Sequence, residues 1–427
     1  MTIALITIVL ILLAAFGAPL FSIILAIAML GFYSSDIDLQ VIAIELYRLT
    51  NTPLLLALPL FTFAGYLLSE SNTSKRLVKL STALFGWVPN NLSFVTLTAC
   101  ALFTAFTGAT GVTIVALGAL LLPALKQAGY PEKFGLGLVT TSGSLGLLLP
   151  PSLPLILYVV IVQQLNLEQT VTIEQVFLAG LLPTVLMISM LVLWSLWVTR
   201  HQPIPRQSFN KSELKDALNE AKWEIPLPFF VLGGIYSGVF AVSEAAAVTA
   251  LYVIIVEVFI YKEISLQQLP KVMHASMIMV GGILLILGVA LALTNYLIDA
   301  EVPIRLFEWI QQNIESKYTF LILLNIFLLI LGAILDIFSA LVIMIPLIVP
   351  VAVGFGIHPV HLGIIFLANM QVGFFTPPVG MNLFIASYRF KKPITEIYSA
   401  TIPFMVILLI SVLIITYWPS LSLYFIQ

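Results

Sequence analysis

The most restrictive feature of the chain is an uncharged stretch, Thr140 to Tyr158, with two adjacent prolines, Pro150 and Pro151, near its middle. The stretch is long enough to cross a bilayer, but the prolines lack an N–H and disfavour the preceding helical turn. In hydrocarbon a broken helix survives only where it is buried in protein or lines a cavity. Its freed carbonyls suit Na⁺, as in secondary transporters. The alternative is a proline kink that serves packing alone.

This stretch has a second copy, Asn369 to Tyr388. Farther upstream, Arg76 and Arg305 correspond under a similar shift, 229 residues. Internal symmetry that places a broken segment in each half indicates a transporter's binding site. Under a shift of 227 residues four pairs coincide: Pro123 with Pro350, Gly146 with Gly373, Pro150 with Pro377, and Pro151 with Pro378.

The composition is that of a membrane protein. Hydrophobic residues make up 60% of the chain, charged residues 9%, and the mean hydropathy is +1.11, whereas soluble domains carry about 25% charged residues. The only cysteine, Cys100, excludes an intrachain disulfide. No Gly-Lys pair is present to form a nucleotide-binding P-loop. We therefore expect a multi-pass membrane protein in contact with lipid, not an enzyme, with no organic cofactor and no nucleic-acid partner.

Two apolar stretches are interrupted near their centres and predict re-entrant hairpins. Residues 91–126 are broken at 107–111, and residues 318–354 have a predicted tip near 332–339. Helices of half length that meet at such a tip are too short to be two full spans. The broken segments that follow the hairpins are 132–165 and 361–388.

The remaining stretches predict supporting helices. Residues 36–50 are amphipathic and predict a helix at the membrane interface. The hydrophilic linker 200–224 carries basic residues and is placed in the cytoplasm by the positive-inside rule. Glu257 lies near the end of a span, and we expect it to snorkel towards water. Full spans are predicted at 53–69, 176–198, 226–240, 244–261, 272–298 and 401–418.

The fold class that follows is an all-α polytopic membrane protein with two pseudo-symmetric repeats. Each repeat contains one hairpin and one broken helix. We expect the repeats to be inverted, but the parity of the spans between them, which decides this, does not follow from hydropathy. The predicted division is scaffold and arm helices at 1–90, transport domain at 91–165, scaffold at 166–317, transport domain at 318–388, and a C-terminal scaffold helix at 389–427.

Polar groups within these apolar stretches are candidates for function because they are costly in a membrane. Asp336 is a lone carboxylate in the second hairpin, where it must be paired, protonated or bound to a cation, unless it is a helix N-cap. Other polar side chains could line a substrate cavity or hydrogen-bond across helices. These substrate candidates are Thr110, Ser144, Ser152, Asn369, Gln371 and Asn382.

Five ordered motifs carry a resemblance to a known family. They are Phe106-Thr107-Gly108, GALLLPALKQAGYP (118–131), GSLGLLLPPSLPLILY (143–158), GVFAVSEAAAV (238–248) and GFFTPPVGMNLF (373–384). Together they resemble the large membrane subunit of tripartite ATP-independent periplasmic (TRAP) transporters of the bacterial inner membrane. The resemblance implies Na⁺-coupled uptake of a small organic acid, such as a dicarboxylate, a 2-oxo acid or sialic acid, by an elevator mechanism. It also implies a small four-helix membrane subunit and a periplasmic substrate-binding protein as partners.

The resemblance also implies two Na⁺ sites, each built from a hairpin tip and a break. Family members often have serines where this chain has Thr107 and Ala109, so Ala109 would have to contribute a carbonyl. Thr113 takes the place of a common aspartate, which leaves the first site without a nearby carboxylate. The first site would use Thr107, Ala109, Gly146, Leu149 and Pro151, and the second Gly332, Asp336, Gly373, Thr376 and Val379.

Two other functions fit parts of the pattern. A channel would use the broken helices as a filter, but two half-sites suit alternating access better and no ring of like charges is apparent. A stand-alone Na⁺/dicarboxylate symporter would share the hairpins and need no partner proteins. Saturable flux that requires Na⁺ would exclude the channel, and dependence on partner subunits would exclude the symporter.

Overall fold

The computed structural model describes residues 13, 18–50, 52–88, 91–165, 167, 169–200, 210–314 and 316–426. Across these residues the secondary structure is helical. Eight helices of the described part are long and apolar enough to cross a membrane, and one bent pair raises the number of spans to nine. The prediction of an all-α polytopic membrane protein is therefore confirmed.

The helices are numbered in chain order over the described residues. The first ten are α1 (Leu20–Ser34), α2 (Gln40–Leu49), α3 (Pro53–Glu70), α4 (Thr73–Phe85), α5 (Asn91–Thr107), α6 (Thr110–Gln127), α7 (Glu132–Ser142), α8 (Leu153–Gln164), α9 (Ile173–Thr199) and α10 (Lys211–Glu220). The others are α11 (Pro226–Tyr236), α12 (Val242–Ile260), α13 (Leu269–Asp299), α14 (Val302–Asn313), α15 (Lys317–Ile334), α16 (Ile337–Gly354), α17 (Pro359–Gly373), α18 (Met381–Phe390), α19 (Ile394–Tyr417) and α20 (Ser420–Leu423).

Each repeat contains the predicted hairpin. In the first hairpin, α5 and α6 are separated only by Gly108 and Ala109, the first tip. Gly108 has φ +63°, a left-handed conformation that glycine adopts at little cost. In the second hairpin, α15 and α16 are separated by Leu335 and Asp336, the second tip. The hairpin helices have 17 or 18 residues, longer than the half-length helices predicted.

Each repeat also contains the predicted broken helix. The first break, residues 143–152, separates α7 from α8 and includes a short 3₁₀ turn, Leu145–Leu148. The second break, residues 374–380, separates α17 from α18. Every residue of α17 is buried, so the broken helices form the core of the bundle.

The two hairpins enter the bundle from opposite ends. The first hairpin ends next to the start of α7, where Lys126 Nζ lies 3.8 Å from Glu132 Oε2. The second hairpin begins and ends at the other end, where Lys317 Nζ donates to the Gly356 carbonyl at 2.9 Å. The nearby Pro359 carbonyl accepts from the Tyr158 hydroxyl at 2.5 Å, and Tyr158 lies in α8, which leads away from the end at which α7 begins. Because one hairpin opens at each end, the repeats are inverted, as expected.

The distribution of basic residues sets the orientation. Within the described residues, only Arg48, Arg305 and Lys317 are basic at the end where the second hairpin opens. The end with the first hairpin's connections carries the other described lysines and arginines. By the positive-inside rule, that basic end faces the cytoplasm.

Of three predictions about the supporting parts of the chain, two are wrong and one is confirmed. Residues 226–240 were expected to span the membrane, but α11 has 11 residues and is about 16 Å long, shorter than a span. Glu257 was expected to reach water, but it is fully buried, because Arg76 and Thr73 supply hydrogen bonds inside the protein. The amphipathic stretch 36–50 does form a helix, α2.

Candidate ion and substrate site

The first break presses against the first hairpin through Gly146. A Cβ on Gly146 would lie 2.1 Å from the Ala101 carbonyl oxygen and 2.5 Å from the Ala105 nitrogen. Only a residue without a side chain allows this approach of two backbones. Gly146 therefore brings the carbonyls of the break next to α5 and its tip.

A hydroxyl network joins the same two elements. Thr104 Oγ1 lies 2.7 Å from Thr113 Oγ1 and donates to the Gly143 carbonyl at 2.8 Å. Thr113 also contacts the Ala109 carbonyl, which accepts its N–H at 3.3 Å. Thr113 therefore fixes the first tip instead of supplying the charge that an aspartate would bring.

The last residue of α17, immediately before the second break, repeats the contact at the equivalent position. A Cβ on Gly373 would lie 2.6 Å from Gly332 Cα. Gly373 and Gly332 are the residues that correspond to Gly146 and Ala105 under the shift of 227. The repeat found in the sequence is thus also present in the packing: in each repeat, a glycine lets the backbone of the broken helix contact the backbone of the hairpin.

Both breaks also fold through the same turn. The Leu149 N–H donates to the Gly146 carbonyl at 3.1 Å, and the Thr376 N–H donates to the Gly373 carbonyl at 3.0 Å. The Thr376 hydroxyl donates back to the Val372 carbonyl at 2.8 Å. The two peptide bonds between paired prolines, one in each break, are both cis.

Several carbonyls at the breaks are free to bind a cation. No described residue donates a hydrogen bond to the carbonyl oxygens of Leu149, Pro151 or Val379. Thr107 is 1% exposed, and its hydroxyl lies 3.4 Å from the Ala109 nitrogen. Carbonyl and hydroxyl oxygens are suitable ligands for Na⁺. The described residues contain no cluster of three acidic, histidine or cysteine side chains that could hold a metal ion.

A cavity of about 250 Å³ lies between the two tips. Three helices begin at its wall: α6 at Thr110, α16 at Ile337 and α18 at Met381. Each helix N-terminus carries a partial positive charge, because its first N–H groups have no partner within the helix. The described lining contains no lysine or arginine. The lining residues are Gly108, Ala109, Thr110, Gly111, Val112, Leu147, Met279, Asp336, Ile337, Phe338, Phe374, Met381 and Ile385.

Asp336 is both a helix cap and part of the cavity wall. Its Oδ1 accepts the N–H groups of Phe338 and Ser339, each at 3.0 Å, and the Ser339 hydroxyl donates to its Oδ2. The side chain is exposed at the tip and not enclosed by apolar helices. The capping role considered for Asp336 is therefore present, and its charge also faces the cavity.

Thr110 and Asn382 join the first tip to the second broken helix. The Thr110 hydroxyl donates to Asn382 Oδ1 at 2.8 Å. Asn382 is fully buried, and its Nδ2 has no hydrogen-bond partner among the described residues. This leaves an amide donor immediately behind the cavity wall.

The other four substrate candidates lie inside the bundle and away from the cavity lining. Ser144 donates to the Gln371 carbonyl at 3.3 Å, where the two broken helices meet, and Ser152 donates to the Leu147 carbonyl at 2.5 Å. Asn369 donates to Asn325 Oδ1 at 2.6 Å. Their contacts are the hydrogen bonds across and within helices that were considered as the alternative.

Two residues of the site could not be identified from the sequence. Met279, from the middle of α13, completes the cavity wall, yet it sits in a uniformly apolar span. Thr104 holds the first break, but threonines are common in α5. Only tertiary structure distinguishes these residues from their neighbours.

Inverted repeats, paired hairpins and a cavity at the meeting point of broken helices together define a secondary membrane transporter. The family described as "Tripartite ATP-independent periplasmic transporter, DctM component" matches residues 7–421. The chain belongs to this family. It is a transporter subunit and not an enzyme, and it is a multi-pass protein of the bacterial inner membrane.

Individual relatives cover most of the chain. The large permease protein DctM of a C4-dicarboxylate TRAP transporter from Rhodobacter capsulatus is 34% identical over 402 residues, 92% of this chain and 91% of the relative. The 2,3-diketo-L-gulonate TRAP transporter large permease protein YiaN of Escherichia coli is 27% identical over 409 residues, 95% of each chain. The crystal structure of the Alcanivorax borkumensis YdaH transporter shares the fold, with a TM-score of 0.61 at 16% identity, over 88% of this chain and 89% of that one.

Proposed function

We propose that this chain is the permease of a Na⁺-coupled TRAP transporter that imports a small organic acid by an elevator movement. The observation that carries the proposal is the cavity between the two tips, at which three helix N-termini converge. The proposal has three parts: the class of substrate, the coupling ion and the movement.

The substrate class follows from the charges around the cavity. Three partial positive charges favour an anion, and such helix ends bind carboxylates in other transporters. The Asp336 carboxylate caps one of these helices and also faces the cavity, so Na⁺ at the second site would have to offset its charge when an anion binds. Thr110 and the unpartnered Asn382 Nδ2 supply neutral hydrogen-bonding groups beside them. The volume, about 250 Å³, is near the lower limit of small-molecule pockets. Relatives are named for C4-dicarboxylates, 2,3-diketo-L-gulonate and sialic acid, all of which carry carboxylates.

The coupling ion is proposed to bind where each tip meets its break. In the first site Thr107, Ala109, Gly146, Leu149 and Pro151 would supply hydroxyl and carbonyl oxygens. Sodium bound there would add positive charge next to the substrate and would hold the tip against the break, so substrate and ion would stabilise the same arrangement. The second site would use Gly332, Asp336, Gly373, Thr376 and Val379.

The elevator movement is supported by the location of the cavity. Both tips belong to the predicted transport domain, whereas Met279 belongs to α13 of the predicted scaffold. A substrate bound between them can change sides if the hairpins slide along α13. The division into transport and scaffold domains remains a prediction.

The partners proposed are a small four-helix membrane subunit and a periplasmic substrate-binding protein. The family name describes a tripartite system, and a relative from Oleidesulfovibrio alaskensis is named DctMQ. No large extramembrane domain is present among the described residues that would capture substrate from dilute solution.

The test is reconstitution of the purified chain in proteoliposomes, alone and with both partners. We expect saturable uptake of a labelled C4-dicarboxylate that requires the partners and is not competed by the uncharged diamide of the same acid. If the diamide competes as strongly as the unlabelled acid does, the cavity is not an anion site. Full uptake by the chain alone would favour the stand-alone symporter.

A further inference from the structure

A buried ion cluster fixes one of the two arm helices. Arm 1 is α4, which connects α3 to the first hairpin, and arm 2 is α14, which connects α13 to the second hairpin. In arm 1 the Arg76 side chain is 9% exposed and contacts three carboxylates. Nη1 lies 2.6 Å from Glu263 Oε1, Nη2 lies 3.4 Å from Glu257 Oε1, and Nε is paired with Glu224.

Further contacts tighten the cluster around the start of arm 1. The Asn72 N–H donates to Glu263 Oε2 at 2.7 Å, and the Thr73 hydroxyl donates to Glu257 Oε1 at 3.0 Å. The Tyr261 ring centroid lies 3.9 Å from Arg76 Cζ. Burial acts to raise the pKa of Glu263, but the Asn72 N–H and Arg76 outweigh it and hold that pKa below its ordinary value. All of these acidic partners lie in the linker before α11 or at the cytoplasmic end of α12.

The symmetry mate of Arg76 has no such anchor. Arg305 of arm 2 has a side chain that is 73% exposed, and its nearest acidic atom is Glu301 Oε2 at 3.9 Å, one turn away in its own segment. Among the described residues, no ion pair or side-chain hydrogen bond joins arm 2 to another helix. Arm 2 instead packs on the second hairpin, where the Phe307 ring stacks edge-on against Phe355 at 5.5 Å.

We propose that Arg76 is a positioning residue that fixes arm 1 to the scaffold, whereas arm 2 travels with the transport domain. This inference rests on the elevator movement of the proposed function. Separating a buried guanidinium from three carboxylates exposes uncompensated charges to a low dielectric. Apolar contacts can slide past one another without that penalty. Arm 1 also contacts the first hairpin, through Phe85 against Phe94 and through Asn91 Nδ2, which donates to the Gly86 carbonyl at 2.7 Å. What distinguishes the two arms is the charged anchor, which lies on the scaffold side of arm 1 and, among the described residues, has no counterpart in arm 2. The joint therefore falls at the connection between arm 1 and the hairpin.

The proposal divides the two arms differently from the sequence-based division. Both arms were assigned to the scaffold, in 1–90 and 166–317. The contacts keep arm 1 in the scaffold and move arm 2 to the transport domain. The joint of the moving part on the periplasmic side then falls before arm 2, at Ala300 and Glu301, where Glu301 has φ +55°.

The experiment measures three distances by pulsed electron spin resonance in the complete complex. Spin labels are attached to cysteines introduced in a Cys100→Ala background, since Cys100 is the only native cysteine. The pair Leu84→Cys and Lys271→Cys reports arm 1 against the scaffold. The pair Tyr33→Cys and Glu308→Cys reports arm 2 against the scaffold. The pair Tyr388→Cys and Lys271→Cys reports the transport domain itself.

We expect the transport-domain and arm 2 distances to shift together when Na⁺ and a C4-dicarboxylate are added, while the arm 1 distance stays constant. Arg76→Gln should broaden the arm 1 distance and lower the maximal uptake rate, with half-saturation by substrate unchanged. Arg305→Gln is the matched control and should change neither. If Arg76→Gln does not reach the membrane, Glu263→Gln removes one of its partners at a partly exposed position.

A shift of the arm 1 distance equal to that of the transport domain would overturn the proposal. So would an Arg305→Gln variant whose maximal uptake rate falls as much as that of Arg76→Gln. A transport-domain distance that never changes would instead refute the elevator movement. The anchoring role of Arg76 would in that case be supported only if Arg76→Gln still broadens the arm 1 distance, and refuted if it does not.

Discussion

Replacing Gly373 with alanine tests whether the close contact of break and hairpin holds the second site together. The new Cβ would lie 2.6 Å from Gly332 Cα and 2.7 Å from the Gly332 carbonyl carbon. Both are backbone atoms, so no side-chain rotation relieves the overlap. Overpacking of this kind costs about 1–3 kcal/mol, and the gain from replacing glycine in a helix offsets at most about 1 kcal/mol of it.

The expected result is a net destabilisation of up to about 3 kcal/mol together with a displaced second tip. We expect Gly373→Ala to weaken the stabilisation of the protein by Na⁺ in thermal unfolding, and to raise the Na⁺ concentration for half-maximal uptake. At saturating Na⁺, the substrate concentration for half-maximal uptake should rise by a smaller factor than the Na⁺ concentration for half-maximal uptake does.

Gly282→Ala is the matched control, because nothing lies within 4 Å of a Cβ at that position of α13. We expect it to preserve uptake and Na⁺ dependence and to stabilise the helix by up to about 1 kcal/mol. If Gly373→Ala behaves like Gly282→Ala in both assays, the contact between Gly373 and Gly332 does not organise the site.

Three further predictions address other parts of the site. Asp336→Asn should keep the cap, since asparagine caps about as well as aspartate, but should abolish most uptake with normal membrane insertion; wild-type Na⁺ dependence in this variant would leave Asp336 as a cap alone. Thr110→Val should raise the half-saturating substrate concentration several-fold by releasing Asn382, and unchanged kinetics would remove this pair from the site. Ser152→Ala should leave substrate affinity unchanged, because among the described residues the Ser152 hydroxyl bonds only to the Leu147 carbonyl; a large loss of affinity would return Ser152 to the substrate site.

The architecture was predictable because its markers are backbone chemistry. The paired prolines break a helix whatever surrounds them, and the glycines at the first tip interrupt a span in the same local way. The shift of 227 residues then located the second break and matched Gly146 with Gly373. That these two glycines pack against their hairpins was found only in the structure.

The roles of polar side chains were less predictable, because hydrophobicity does not show which way a residue points in a bundle. Asn369 and Gln371 are buried where helices pack, and only Thr110 of the six substrate candidates lines the cavity. Glu257 was expected to reach water, but its partner Arg76 is 181 residues away in the chain. An ion pair between residues so far apart in the chain cannot be predicted from a local sequence pattern.

The most direct test of the central claim is the dependence of uptake on external Na⁺ in proteoliposomes that contain the complete complex. The account predicts no uptake when K⁺ or choline replaces Na⁺, and a sigmoidal rise with Na⁺ because two sites, each a tip with its break, must fill. Uptake that is unchanged in Na⁺-free buffer would contradict it.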